Sequence, residues 1–186
     1  IFFGGMSDHL AVPIHDFDPT GEYPADAQYL GDGFSTNLFT DAAIDFLDGY
    51  DADDPFFLYL AFTSPHDPRM APDEYAAMYD PADIELPPNF MTEHPFDNGE
   101  MRNRDENLAA HPRTEEEVRR HIADYYAMIA HQDAHIARVL EALDRNGHGE
   151  DTIIVYTADH GLGVGQHGLL GKQNLYDHSV RVPLIV

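Results

Sequence analysis

His66, Asp159, His160 and Lys172 combine residue types and spacings that anion chemistry could use. His66 stands in Ser64-Pro65-His66-Asp67-Pro68-Arg69, where a proline on either side stiffens the backbone and restricts the residue before it. A rigidly held imidazole suits a general acid or an anion contact. Taken alone, it reads more simply as an ordinary loop histidine. Asp159 and His160 stand in Thr157-Ala158-Asp159-His160-Gly161, at the end of an apolar run. An aspartate there can turn its oxygens to a hard cation, with the adjacent imidazole as a less usual second ligand. Taken alone, the same tripeptide reads equally well as a turn. Lys172 is the only lysine of the chain, and every other basic residue is an arginine. An ammonium beside a cation and an imidazole would make an electropositive point for a tetrahedral oxyanion such as sulfate or phosphate. The plain alternative is a solvated surface lysine, weakened by the chain's use of arginine for its other positive charges.

These residues need elements to hold them. Residues 1–34 are rich in Gly, Pro and Asp without a sustained period and read mostly as loop. From Ser35 or Thr36 a helix is predicted, with Leu38, Phe39, Ala42, Ala43, Phe46 and Leu47 on one face and Gly49 as its stop. Pro55 opens Phe56-Phe57-Leu58-Tyr59-Leu60-Ala61-Phe62, a continuous apolar run that suits a strand buried on both faces of a parallel sheet. A short helix is predicted near 73–79. The Pro-rich, polar stretch 79–113 is long for a structureless connection and reads as a functional lobe or lid on the substrate side. Thr114 and Glu117 form a capping box before an apolar stripe of Val118, Ile122, Tyr125, Ile129, Ile136, Leu140 and Leu143, and Asn146-Gly147 ends that helix. Asp133, near the stripe, reads as a partly buried carboxylate that ties down a loop. Asp151 to Thr157 is a second buried strand, the glycine-rich stretch 161–171 a loop, and Val182 to Val186 a third strand. Strands alternating with helices imply an α/β fold with a mostly parallel sheet flanked by helices, and ligands of such sheets gather at the carboxyl ends of the strands.

Composition narrows the classes. At 186 residues and 43% hydrophobic, the chain is about one domain's worth of globular sequence. It has no cysteine, so disulfides, thiolate metal sites and a cysteine nucleophile are excluded within it. A net charge of −24 argues against nucleic-acid partners, which need a cationic face. The acidity is spread along the chain and reads as a solvated surface. No apolar run approaches the ~18 residues that cross a bilayer. The chain opens on Ile1-Phe2-Phe3 and closes on a strand-like run, so both ends read as cut from a longer polypeptide, with any secretion signal outside the window.

Read together, "DDPFFLYLAFTSPHDPR" (53–69), "YYAMIAHQDAHIARVLEAL" (125–143), "DTIIVYTADHG" (151–161) and "GQHGLLGKQNLYDHSVRVPLIV" (165–186) resemble the sulfatase family of the alkaline-phosphatase superfamily, and the opening "FFGG" (2–5) is similar to the segment preceding this region in many sulfatases. The resemblance implies an alkaline-phosphatase-like fold, with residues 1–186 an internal part of one catalytic domain truncated at both ends. It implies Asp159 and His160 as a late pair of metal ligands, for Ca2+ most readily and Mg2+ next. It implies Lys172 as a contact to the sulfate ester oxygens, and His66 as a sulfate contact that protonates the leaving group. His167, Gln173 and Arg181 match recurring family positions to which only supporting roles attach.

The departures are as informative as the matches. The family nucleophile is a formylglycine made from Cys or Ser in a Cys/Ser-X-Pro-X-Arg motif, and Ser64-Pro65-His66-Asp67-Pro68-Arg69 does not have that spacing. The tandem Asp pair and the early Lys and His cluster are absent too. All of these precede this region in the family, so the formylglycine is expected outside the chain and the 186 residues alone are expected to be inactive. The implied substrate is a sulfate ester, with a sulfated carbohydrate the narrower expectation, and the implied location is periplasmic or secreted. A phosphodiesterase or phosphonate monoester hydrolase of the same superfamily is the nearest alternative. A non-catalytic binding protein on the same fold is the other.

Overall fold

Thr114 accepts a hydrogen bond from the backbone N–H of Glu117 at 3.2 Å, and the helix it caps runs over Glu115–Arg145. Glutamates fill its first turn and Arg145 its last, as the helix dipole favours. Beyond it Gly147 takes a φ of +80°. The N–H groups of Gly147 and His148 then bond back to the carbonyls of Asp144 and Leu143, which ends the helix. Both ends fall where the sequence predicts them.

The computed structural model describes residues 8–186, so the Phe2-Phe3-Gly4-Gly5 match lies outside the described residues. In chain order the elements are β1 (Pro13–Ile14), β2 (Tyr29–Leu30), α1 (Ser35–Gly49), α2 (Asp73–Ala76), α3 (Glu115–Arg145), β3 (Tyr156–Thr157), α4 (Asp177–Val180) and β4 (Leu184–Ile185). Single 3-10 turns lie at Ala25–Ala27, Pro81–Asp83 and Asp105–Leu108. The chain divides into two compact units, one made of the chain up to Ala77 with Tyr125–Thr152, the other of Met78–Asp124 with Ile153–Val186. Among the described residues no helix is long and apolar enough to cross a membrane.

In the first unit, α1 lies along the part of α3 that begins at Tyr125. Leu47 packs with Ala142 and Leu143, and Ile44, Phe56 and Val139 close around them. The buried stripe of α1 is Thr36, Thr40, Ala43 and Leu47. The predicted face was therefore rotated: Ala42 is exposed, Phe46 sits at the rim against Tyr50 and Phe56, and two threonines take inward positions. On α3 the inward positions of this unit include Ala127, Met128, His131 and His135, while Ile129 and Leu140 are exposed. Asp133 is exposed as well, so it is not the buried loop tie expected of it. Salt bridges flank the packed face, Arg138 to Asp41 at 2.6 Å and Arg145 to Asp48 at 2.7 Å. Within the face, His131 Nε2 donates to Asn37 Oδ1 at 2.9 Å, and the His131 and His135 rings meet edge to face, 4.7 Å apart.

The second unit is organised by an ion pair. Arg113 and Glu106 are 1% and 3% exposed and lie 2.8 Å apart. Arg113 also donates to the carbonyls of Glu106, Ala109 and Gly168. Glu106 accepts from the backbone N–H groups of Leu170 and Gly171 at 3.0 and 2.9 Å. The stretch 161–171 is a loop, as expected, and it is mostly buried and tied down. Gly165 and Gly168 are needed there: both have positive φ, and a Cβ would lie 2.5 Å from Val118 at the first and under 3 Å from the 93–94 backbone at the second.

The sheet differs from the expectation. Among the described residues the ladders are two antiparallel pairs: β1 with β2, Pro13 opposite Leu30, and β3 with β4, Tyr156 opposite Ile185. The chain from 158 to 183 folds back through the glycine loop and α4, which returns β4 against β3 antiparallel. A parallel pair would need a crossover connection. Residues 56–62 form no ladder, and their burial alternates: Phe56, Leu58, Leu60 and Phe62 are half-buried, while Phe57 and Tyr59 are 90% and 80% exposed. Ile153, Leu184 and Val186 are likewise exposed. Residues 56–62 thus pack one face, whereas 153–157 and 183–186 are exposed at consecutive positions and pack neither.

Two measurements probe these cores. Burial, with the neighbouring His135, lowers the pKa of His131 from 6.5 to about 4. The unfolded chain therefore holds that proton more tightly than the folded one. Stability should be level above about pH 6.5 and fall as pH drops towards 4, with this residue contributing at most about 1.4 kcal/mol per pH unit. Urea unfolding across that window should show a shallower slope for His131→Gln, and an unchanged slope would refute the buried neutral imidazole. Arg113→Ala, which leaves Glu106 buried without its counter-ion, should cost about 3–5 kcal/mol in the same assay. Arg145→Ala, at a half-exposed pair, should cost a small fraction of that.

Candidate active site

In the first unit the turn after Thr63 carries His66. Its Nδ1–H donates to the carbonyl of Asp67 at 2.8 Å, and Asp67 Oδ1 lies 3.3 Å from the same nitrogen. That fixes the tautomer: Nδ1 carries its proton inward, and Nε2 is the atom that gains or loses one. The turn is pinned from below by His9, a residue the sequence reading passed over. His9 is 2% exposed and its Nε2–H donates to the carbonyl of His66 at 2.7 Å. Because a carbonyl only accepts, His9 Nδ1 is left as an acceptor facing Ser35 Oγ and Thr63 Oγ1 at 3.5 and 3.4 Å. Burial lowers the His9 pKa and keeps it neutral in this role. Nothing in the spacing of Asp8-His9-Leu10 distinguishes it from a surface histidine.

In the second unit Asp159 and His160 are adjacent in space as well as in sequence. The Asp159 side chain is 89% exposed, its Oδ1 accepts the His160 N–H at 2.9 Å, and its Oδ2 lies 3.6 Å from His160 Nε2. His160 Nδ1–H donates to the carbonyl of Gly161 at 2.9 Å, so neutral His160 presents the Nε2 lone pair on the side of the carboxylate. An oxygen and a nitrogen donor thus face the same solvent space, which fits two positions of a divalent-cation shell. A hard cation takes about 6–8 ligands, and no group of three or more His, Cys, Asp or Glu converges on one point among the described residues. The pair fits part of a shell.

Lys172 lies in the same unit, just past the clamped stretch. Its side chain is only 22% exposed and its Nζ is 3.5 Å from Asp105 Oδ2. It is therefore no freely solvated surface lysine. Gln173 bridges the two residues: its Oε1 accepts the Lys172 backbone N–H at 3.1 Å, and its Nε2 donates to Asp105 Oδ2 at 3.1 Å. Arg104 donates to Asp105 Oδ1 through Nε and Nη2 at 3.0 and 2.8 Å. Burial acts to raise the Asp105 pKa, but the hydrogen bonds from Gln173 and Arg104 and the charge of Lys172 outweigh it and hold the carboxyl below its usual range. Asp105, Glu106 and Arg113 were missed in the sequence, where they are charged residues in a polar stretch and only burial sets them apart. Among the weaker family positions, His167 stacks on Tyr176 with centroids 4.2 Å apart. Arg181 pairs with Asp177 at the exposed surface.

Comparison with known proteins gives this geometry a context. The sulfatase family model matches residues 9–186. An arylsulfatase of Clostridium perfringens is 35% identical over 152 residues, covering 81% of this chain and 31% of the relative. The multifunctional alkaline phosphatase superfamily protein PehA of Trinickia caryophylli is 32% identical over 166 residues, 81% of this chain and 32% of the relative. Among solved structures, the phosphonate monoester hydrolase of Agrobacterium radiobacter superposes with a TM-score of 0.70 at 29% identity, covering 80% of this chain and 32% of that one. The chain spans about a third of the length of the curated relatives it matches. Its fold is that of its alkaline-phosphatase-like neighbours. The match to the family runs through the turn of His66, the Asp159-His160 pair and the clamped stretch before Lys172, and the chain belongs to the sulfatase family.

Proposed function

We propose that this chain is part of a catalytic domain that hydrolyses a sulfate ester, a sulfated carbohydrate being the favoured substrate. The observation that carries the reading is Lys172: the only ammonium of an acidic chain, withdrawn from solvent and held in place, in a chain matched by the sulfatase family from residue 9 to its end. In this reading Lys172 binds an oxygen of the sulfate group and offsets negative charge that builds there as the ester bond breaks. Asp159 and His160 would hold a divalent cation, Ca2+ most readily, together with donors from elsewhere in the domain. Such a cation supplies positive charge to the same tetrahedral group.

His66 would give its Nε2 proton to the departing oxygen. The Nδ1 bonds to Asp67 and the support of its carbonyl by His9 keep the ring in one orientation while it does so. A sugar alkoxide is a poor leaving group and gains far more from that proton than a nitrophenolate does. The formylglycine nucleophile belongs to the sulfatase reading but to no residue of this chain. Phosphonate or phosphate ester hydrolysis is the second reading, favoured by the likeness to the phosphonate monoester hydrolase.

Kinetics on the complete catalytic domain separate these roles. Lys172→Ala should lower kcat/KM for an aryl sulfate by about 10²-fold or more, and undiminished turnover would remove Lys172 from the reaction. His66→Ala should cost about 10²–10⁴-fold on an alkyl or sugar sulfate and much less on nitrophenyl sulfate. Equal losses on the two substrates would contradict a proton-donor role. Paired assays should show the sulfate ester turned over faster than the matching phosphonate ester, and the reverse ranking would favour the second reading.

A further inference from the structure

Lys172 is held at both ends by consecutive residues of one 3-10 turn. Glu106 takes the backbone N–H groups of Leu170 and Gly171, immediately before the lysine. Asp105 faces the ammonium itself at 3.5 Å. The two grips are joined by Gln173, whose amide spans from the lysine's own backbone N–H to the Asp105 carboxylate. Asp105 cannot easily follow a moving lysine, since its side chain is 7% exposed and its other oxygen is taken by Arg104. A free lysine side chain samples many rotamers, and a contact only 1 Å out of place can cost about 10²-fold in rate. An ammonium has three N–H donors, so one directed at a fixed carboxylate orients the others.

We propose that Asp105 is the positioning residue of Lys172: a buried, immobile counter-ion that aims the ammonium at the sulfate oxygens without touching substrate itself. The proposal rests on the reading of Lys172 as the anion contact. It also gives the end of the 79–113 stretch a task, aligning the ammonium that meets the anion. Gln173 acts in the same device by setting the separation between the lysine backbone and its counter-ion.

A double-mutant cycle on the complete catalytic domain tests this with nitrophenyl sulfate as the probe. Asp105→Asn keeps the shape and removes the charge. It should lower kcat/KM about tenfold, with most of the loss in kcat rather than KM, because the misaimed ammonium matters most as charge develops. In a Lys172→Ala background the same substitution should cost nothing further. Gln173→Met, which leaves both charges in place, should show a smaller loss that also vanishes without Lys172. An equal loss from Asp105→Asn in both backgrounds would show that the aspartate acts on folding and not through the lysine, and no loss in either would overturn the proposal outright. If Lys172→Ala alone is fully active, the reading of Lys172 fails, and the positioning role with it, before the cycle is completed.

Discussion

A buried glutamate and a buried arginine carry the second unit. Removing Glu106 and Arg113 from water is costly, and such pairs persist only where further hydrogen bonds satisfy the remaining donors and acceptors. Here they do: the guanidinium reaches four backbone carbonyls, and both carboxylate oxygens accept backbone N–H groups. Those partners lie on two distant stretches, 106–113 and 168–171. The pair thus converts a glycine-rich segment, flexible by composition, into a fixed shelf. Tight glycines allow the close approach, and the clamp holds it. Everything proposed for Lys172 depends on that shelf being rigid.

The first unit reaches the same end with different chemistry. Its helices are packed through a small apolar cluster at one end and through neutral histidines further along, with arginine–aspartate pairs at the rim. His9 works on the turn of His66 as Glu106 works on the stretch before Lys172, fixing the backbone so that the side chain has one orientation. In each unit a buried polar group stands behind the residue proposed to meet substrate.

That difference explains what could be read from the sequence. Local chemistry was legible: the Thr114 cap, the Asn146-Gly147 stop, the start of α1 at Ser35 and its end at Gly49 all act within one turn of chain. The four candidate residues were visible because their types are uncommon in their settings. The clamp was not visible, because Asp105 and Glu106 are two acidic residues among 34 and their burial is a tertiary fact. The same holds for His131 and His135, which fill inward positions that a hydrophobic pattern assigns to Ile129 and Leu140. The parallel sheet is not confirmed among the described residues, for a related reason. An apolar run such as 56–62 records the burial a strand can have, whereas the described chain packs only one of its faces.

The central claim is that the shelf presents Lys172 to the sulfate group of an ester. A crystal structure of the complete catalytic domain with an unreactive sulfamate analogue of a sugar sulfate would test it most directly. The account predicts Lys172 Nζ at about 3 Å from a sulfuryl oxygen, with Asp105 still beside the ammonium. A bound sulfamate whose oxygens are met by other groups, with Lys172 turned away from it, would contradict the account.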